Sequence, residues 1–110
     1  MICDFGDVAV VPFPFTDLPV TKYRPALVLS KLAFNETNGN TMLAMITSAR
    51  ESTWPSDLLI ADGAKAGLHR ASMVRWKIFT LTNELIERTV GKLGRTDRAA
   101  VRHALRSVLG

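Results

Sequence analysis

The sequence predicts a small, strongly bent β-barrel that ends in one α-helix, a mainly β fold. Short apolar stretches alternate with turn-forming residues along most of the chain. The last segment instead has apolar residues at the spacing of one helix face. The length of 110 residues is enough for one hydrophobic core but not for two, so we expect a single domain over residues 1–110.

Six stretches are predicted to form strands, because they are apolar and are bounded by Pro, Gly, Asn or Asp residues. They cover residues 8–11, 26–29, 41–47, 58–60, 73–81 and 88–93. Side chains alternate along the fifth stretch. This alternation places Arg75 and Lys77 on one face of the strand and Val74 and Trp76 on the other.

The connections are predicted from turn residues and polar runs. Residues 16–23 and 49–57 are expected to be loops, and two glycines mark a turn over 61–68. The Asn-Gly step in residues 35–40 predicts another turn. Residues 83–86 are expected to form a single helical turn.

A C-terminal helix is the clearest individual element. We expect the Thr96 side chain to cap it, with Asp97 favourably placed in the first turn. The predicted core stripe has i, i+3, i+4, i+7 spacing and consists of Val101, Ala104, Leu105 and Val108. A stripe on another face is expected to be solvated and consists of Arg98, Arg102 and Arg106.

The composition is that of a soluble globular chain, with 47% hydrophobic and 22% charged residues. No stretch approaches the ~20 apolar residues of a membrane helix, and no secretion signal is apparent at the start. A single cysteine, Cys3, cannot form an internal disulfide. These features predict a cytoplasmic protein that does not associate with membranes.

Positive charge is concentrated in the second half of the chain. The formal net charge is +4, and residues 70–106 contain nine Lys and Arg against three acids. Such a region suits a polyanion, such as a nucleic acid, or an acidic protein partner. A basic surface that is merely solvated is the alternative.

The sequence offers no group of residues typical of a metal site. It has one cysteine, two histidines far apart, His69 and His103, and no cluster of carboxylates. It also lacks a glycine-rich phosphate loop. We therefore expect no metal and no other cofactor. His69 is expected in a structural position or at the edge of a site, and His103 in solvent, rather than as an acid and base pair.

Several short motifs follow one another in a fixed order along nearly the whole chain. They are Gly6-Asp7-Val8, Pro12-Phe13-Pro14-Phe15, Arg24-Pro25-Ala26-Leu27-Val28-Leu29, Ile46-Thr47-Ser48, Gly67-Leu68, Ser72-Met73-Val74 and Val90-Gly91-Lys92-Leu93. This series resembles the MazF/PemK-type toxins of type II toxin-antitoxin systems. The resemblance implies an SH3-like barrel with a C-terminal helix, as in CcdB and PemK proteins. It also implies a homodimer and a metal-independent ribonuclease that inhibits growth. A cognate antitoxin would cover the active site with an acidic or apolar tail and form a DNA-binding complex with the toxin.

The residue most suited to phosphate chemistry is Arg24, which stands where the second strand begins and cannot enter the core. Its guanidinium stays charged and presents paired donors to a phosphate. The resemblance implies that Arg24 is catalytic, together with Thr47 and Ser48 at the end of the third strand. A salt bridge of Arg24 with Asp7 or Asp17 is the alternative.

Six further residues are expected to bind RNA: Asp17, Lys22, Tyr23, Trp54, Arg75 and Lys77. Tyr23 and Trp54 could stack on bases, while Arg75 and Lys77 could hold phosphates. In some relatives, the arginine that matches Arg75 is followed two residues later by an aspartate implicated in catalysis. Here Lys77 occupies that position, so the acid-base partner is missing.

Three functions remain open at this level. The first is a sequence-selective endoribonuclease that cuts single-stranded RNA, messenger RNA being the expected class, and leaves 2′,3′-cyclic phosphate and 5′-hydroxyl ends. The second is a protein-binding toxin on the same fold, similar to the gyrase inhibitor CcdB. The end of the terminal helix, residues 107–110, lacks an aromatic anchor for that role. The third is a homologue that has lost catalysis. This alternative stays open because Lys77 replaces the aspartate that some relatives carry at this position.

Overall fold

The computed structural model describes residues 1–13, 22–48 and 53–110. Its regular elements are β1 (Asp7–Phe13), β2 (Lys22–Val28), α1 (Leu32–Asn38), β3 (Asn40–Ser48), β4 (Leu58–Leu59), β5 (Ser72–Thr82), β6 (Arg88–Lys92) and α2 (Arg95–Leu109). The six strands form one antiparallel sheet in the order β4-β5-β3-β2-β1-β6. The sheet curls into a half-barrel, which confirms the predicted mainly β fold with a C-terminal helix.

Each face of the sheet carries its own hydrophobic core, because side chains alternate along the strands. The face that packs against α2, called the helix face here, has a core that includes Val8, Leu27, Ala44, Ile46, Val74, Trp76 and Val101. The other face, called the second face, has a core that includes Ala9, Val11, Ala26, Val28, Leu43 and Leu81. The predicted alternation in β5 is confirmed, since Val74 and Trp76 both pack on the helix face.

The loop predicted over residues 16–23 ends earlier than expected. Lys22 and Tyr23 belong to β2 rather than to a loop, because they pair with Phe13 and Pro12 of β1. Residues 16–21 and 49–52 of the two predicted loops lie outside the described residues. The remaining connections, the turn over 61–68 and the short helical turn Asn83–Leu85, are confirmed.

The turn predicted over residues 35–40 is wrong, because most of it lies in the helix α1. Asn35 is fully buried in that helix, and its amide donates to the carbonyls of Cys3 and Ser30 at 2.8 and 3.2 Å. Asp4 accepts a hydrogen bond from the Leu32 backbone N–H at 3.0 Å. Gly39 then ends the helix in the left-handed region, at φ +65°. Tertiary hydrogen bonds therefore override the local turn signal.

The helix α2 is confirmed, but its start and its faces differ from the prediction. It begins after Gly94, and no side chain caps it, so Thr96 is not the cap. Asp97 is buried and accepts hydrogen bonds from the backbone N–H groups of Ala61 and Asp62, each at 2.9 Å. Val108 is 42% exposed and lies outside the core, unlike Val101.

The arginine stripe of α2 is only partly solvated, contrary to the prediction. Arg98 is half-buried and donates to the Leu93 carbonyl at 2.6 Å, while the Arg102 guanidinium lies 4.7 Å from the centre of the Phe5 ring.

Within the described part of the chain, no helix is long and apolar enough to cross a membrane.

Candidate active site

Arg24 and Thr47 come together where β2 begins and β3 ends. The pairing of the two strands ends with Ala26 opposite Met45, and Arg24 and Thr47 each lie two residues beyond this last pair. Because side chains alternate along a strand, a residue two positions away projects to the same face. Residues opposite each other in antiparallel strands project to the same face. Both side chains are therefore assigned to the second face, the face of Ala26.

The Arg24 guanidinium is exposed and available to an anion. It lies 5.8 Å from the centre of the Phe13 ring, a distance typical of a cation-π contact. It forms no ion pair or side-chain hydrogen bond with another described residue. The predicted alternative of a salt bridge with Asp7 is wrong, because Asp7 pairs with Lys92 at 3.3 Å. Asp17 lies outside the described residues.

Thr47 and Ser48 do not share a face, although they are adjacent in the sequence. Thr47 pairs with Met73, while Ser48 pairs with Ser72. Because neighbouring residues of a strand alternate, Thr47 lies on the second face with Arg24, and Ser48 lies on the helix face. Of the two hydroxyls, that of Thr47 is the one placed on the same face as Arg24.

Arg75 lies on the second face, opposite Met45 and two residues along β5 from the partner of Thr47. It forms a buried ion pair with Asp57, with Nε–Oδ1 and Nη2–Oδ2 distances of 3.2 and 2.9 Å. The hydrogen bonds from Arg75 hold the pKa of the Asp57 carboxyl below its ordinary value. The positive charge of Arg75 is therefore already matched by the Asp57 carboxylate.

Trp54 is placed over the second face by the same ion pair. The Trp54 backbone N–H donates to Asp57 Oδ2 at 2.8 Å, and the Trp76 indole N–H fixes the adjoining backbone through the Ser56 carbonyl at 2.9 Å. The Arg75 guanidinium and the Lys77 ammonium lie 5.2 and 5.5 Å from the centre of the Trp54 ring. The ring is 38% exposed and forms an aromatic surface flanked by cations.

A cleft of about 470 Å³ opens at these strand ends. It is lined by residues of β1, β2, β3, β5 and β6 and by the turn before β5. These are Val10, Arg24, Pro25, Ile46, Thr47, Ser48, Gly67, Leu68, His69, Arg70, Ser72, Arg88 and Val90. The side chains of Arg70 and Arg88 are exposed and, like that of Arg24, form no ion pair with another described residue. The cleft is therefore strongly cationic.

Arg70 and Arg88 were not among the predicted site residues. They belong to the basic half of the sequence, but no local motif distinguishes them from the other arginines there. His69 lines the cleft, in agreement with its predicted position at the edge of a site. His103 is exposed on α2.

The other predicted RNA-binding residues are distributed over both faces of the sheet. Lys22 pairs with Phe13 and so shares the second face with Arg24, whereas Tyr23 pairs with Pro12 and projects to the helix face. Tyr23 is 56% exposed. The described residues contain no group of three His, Cys, Asp or Glu side chains that could hold a metal ion.

A curled antiparallel sheet with a C-terminal helix and a cationic cleft at its strand ends defines a small β-rich protein suited to an anionic partner. The chain belongs to the PemK-like, MazF-like toxins of type II toxin-antitoxin systems, whose family profile matches residues 4–109. No curated protein sequence is similar enough to this chain to count as a relative.

Solved structures of toxins have the same fold. MazF from Deinococcus radiodurans is 25% identical, with a TM-score of 0.77, and the match covers 100% of this chain and 98% of that one. A MazE-MazF structure from the same organism has 25% identity, a TM-score of 0.78 and the same coverage. An endoribonuclease in complex with its cognate antitoxin, from Mycobacterial species, is 16% identical, with a TM-score of 0.76 over 99% of this chain and 94% of that one.

Proposed function

We propose that this toxin is an endoribonuclease that cleaves single-stranded RNA, messenger RNA being the expected class. In the proposed reaction, a ribose 2′-hydroxyl attacks the adjacent phosphorus, and the bond from phosphorus to the 5′-oxygen breaks. The products are a 2′,3′-cyclic phosphate and a 5′-hydroxyl. The reaction needs charge stabilisation on the phosphoryl oxygens and two proton transfers.

The placement of Arg24 and Thr47 carries this proposal. Both residues line the cleft, strand alternation assigns both to the second face, and the Arg24 charge is not matched by any described carboxylate. A guanidinium can donate two parallel hydrogen bonds to a phosphate and stabilise the charge that grows in the transition state. The Thr47 hydroxyl can donate to a third oxygen. Ser48 lies on the other face and would contact the strand elsewhere.

RNA binding on this face would combine stacking with phosphate contacts. Phe13 and Trp54 provide aromatic rings near Arg24 and Arg75, and Lys22 and Lys77 add cations. Aromatic rings interleaved with positive charges are typical of proteins that hold single-stranded nucleic acid. Arg75, which is held by Asp57, would position Trp54 rather than take part in proton transfer.

A cognate antitoxin is the proposed protein partner. The similar solved structures include MazF with MazE and a mycobacterial endoribonuclease with its cognate antitoxin. Family membership supports this partner, and the cleft arginines, which form no ion pair with another described residue, suit an acidic antitoxin segment that competes with RNA. We also propose that the toxin acts as a homodimer in the cytoplasm, where its RNA substrate is found.

The test is incubation of purified, antitoxin-free protein with a long single-stranded RNA in EDTA, beside an Arg24→Ala variant. Arg24 is exposed, so this variant should fold normally, which circular dichroism can verify. We expect discrete cuts by the wild type alone, with 5′ ends that a polynucleotide kinase can phosphorylate directly. Absence of cuts by the folded wild type would contradict the proposal. Equal cutting by Arg24→Ala would remove Arg24 from the mechanism.

A further inference from the structure

The turn over residues 63–70 packs directly against the backbone of β6. Gly67 has φ +75°, and a Cβ atom there would lie 2.2 Å from the Val90 carbonyl oxygen. A Cβ atom on Gly91 would lie 2.4 Å from the carbonyl carbon of Ala66. Only two facing glycines permit this approach, since both contacts are far shorter than any real Cβ contact. The turn is thus fixed at the edge of the sheet.

This packing brings two arginines from different parts of the chain into one cleft. Arg70 follows the fixed turn, and its carbonyl accepts a hydrogen bond from the Ser72 hydroxyl at 2.8 Å. Arg88 stands opposite Val10 on β6, so it projects to the helix face, where Val10 lines the cleft. Neither guanidinium is neutralised by a described carboxylate.

We propose that Arg70 and Arg88 form a second phosphate-binding site, which holds the RNA backbone beside the nucleotides bound by Arg24. This inference rests on the proposed ribonuclease function. Arg24, Arg70 and Arg88 all line the cleft, which lies where the strands end. Arg24 projects to the second face and Arg88 to the helix face, so an RNA strand would contact both by passing around this end of the sheet. Arginine suits this role because its planar donors match phosphate oxygens while its charge stays fixed. The site would contribute to binding rather than to the chemical step.

The continuity of the cleft with Arg24 and Thr47 favours RNA over an acidic protein segment as the occupant of this site. The salt dependence of RNA binding tests it directly, because each phosphate contact releases counterions. The probe is a fluorescein-labelled single-stranded RNA containing the mapped cleavage site, with a 2′-deoxy nucleotide at that position so that it cannot be cut. Anisotropy then gives the affinity over a series of NaCl concentrations.

We expect Arg70→Gln and Arg88→Gln each to weaken binding about tenfold and to reduce the slope of log affinity against log salt by roughly 0.7. In cleavage assays, each should raise KM and leave kcat unchanged. The matched control is Arg106→Gln, which removes the same charge from an exposed position on α2 outside this cleft. It should keep the wild-type slope and KM.

Wild-type slopes and KM values for Arg70→Gln and Arg88→Gln would overturn this inference and leave the ribonuclease proposal intact. Weaker binding of an acidic antitoxin segment, with unchanged RNA binding, would also overturn it. If the wild type cuts no RNA, the ribonuclease proposal fails, but the phosphate site can still be tested. Anisotropy with unmodified RNA then compares the salt slopes of Arg70→Gln and Arg88→Gln with that of the wild type.

Discussion

The Arg75 guanidinium donates to both carboxylate oxygens of Asp57, at 3.2 and 2.9 Å, and the two side chains are 8% and 3% exposed. The sequence places Lys77 where some relatives carry an aspartate, and so suggests that Arg75 lacks an acidic partner. The fold supplies that partner from the segment before β4. Asp57 also accepts the Trp54 backbone N–H. The ion pair therefore connects β5 to the aromatic ring over the second face.

Loss of the Asp57 carboxylate is expected to destabilise the protein. Asp57→Ala removes the partner of a buried arginine, and breaking a buried pair in this way costs roughly 3 kcal/mol. Urea denaturation measures the free energy of unfolding. Lys77→Gln is the control, because Lys77 is exposed and its contact with Trp54 contributes less than about 1 kcal/mol. Equal stability of Asp57→Ala and the wild type would show that Arg75 does not depend on Asp57.

The same carboxylate predicts how stability depends on pH. Its pKa in the folded protein is lowered, chiefly by the hydrogen bonds from Arg75, from an unfolded value of about 3.9. Its contribution to stability is therefore complete above about pH 4 and is lost as the pH falls through the folded pKa. We expect the stability difference between the wild type and Asp57→Asn to narrow below about pH 4. Thermal unfolding of both proteins from neutral to acidic pH measures this difference in stability. A difference that stays constant with pH would contradict the lowered pKa of Asp57.

The opposite orientations of Thr47 and Ser48 predict unequal effects on RNA cleavage. Thr47→Ala removes a donor next to Arg24 and should lower kcat roughly a hundredfold, whereas Thr47→Ser keeps the hydroxyl and should retain most activity. Ser48→Ala should leave kcat close to the wild-type value, because Ser48 projects to the helix face. Single-turnover cleavage of a labelled RNA compares the three variants. Similar losses for Thr47→Ala and Ser48→Ala would place both hydroxyls at the phosphate.

Elements with a strong local pattern could be predicted from the sequence, and elements fixed by distant contacts could not. The alternation of side chains correctly predicted the strand β5, and the helical spacing of apolar residues correctly predicted the helix α2. The helix α1 was missed, because Asn35 reads as a turn residue and is held in the helix by the carbonyl of Cys3, far away in the sequence. Thr96 was misassigned for a related reason. Its neighbour Asp97 binds backbone groups of another segment rather than its own helix.

In the candidate site too, residues in local motifs could be predicted, whereas contacts between distant segments could not. Arg24 and Thr47 could be proposed because each belongs to a short motif, and both line the same cleft. The partnership of Arg75 with Asp57, and the convergence of Arg70 and Arg88, depend on which strands are neighbours in the sheet. No local spacing encodes that information, so only the structure could supply it.

Gly39 and Gly67, which both have positive φ, are expected to respond very differently to substitution. Gly39→Ala should cost only about 1 kcal/mol of backbone strain, since no atom lies within 4 Å of the added Cβ. Gly67→Ala should cost roughly 3 kcal/mol, because the Cβ must also displace the Val90 carbonyl. It should also weaken RNA binding by shifting Arg70. Chemical denaturation and anisotropy measure the two effects, and equal costs would contradict the close packing on β6.

Asp97 is predicted to stabilise the fold by joining α2 to the segment after β4. Each of its carboxylate oxygens accepts one backbone N–H, from Ala61 and from Asp62, and the side chain is buried. Asp97→Asn replaces one acceptor by a donor and leaves a partly buried N–H without its partner, at a cost of roughly 1 kcal/mol. Thr96→Ala should change stability by less than about 0.5 kcal/mol, because Thr96 is exposed and does not cap the helix. Urea denaturation compares the two. A larger loss for Thr96→Ala would mean that the helix is held at its own first turn rather than through Asp97.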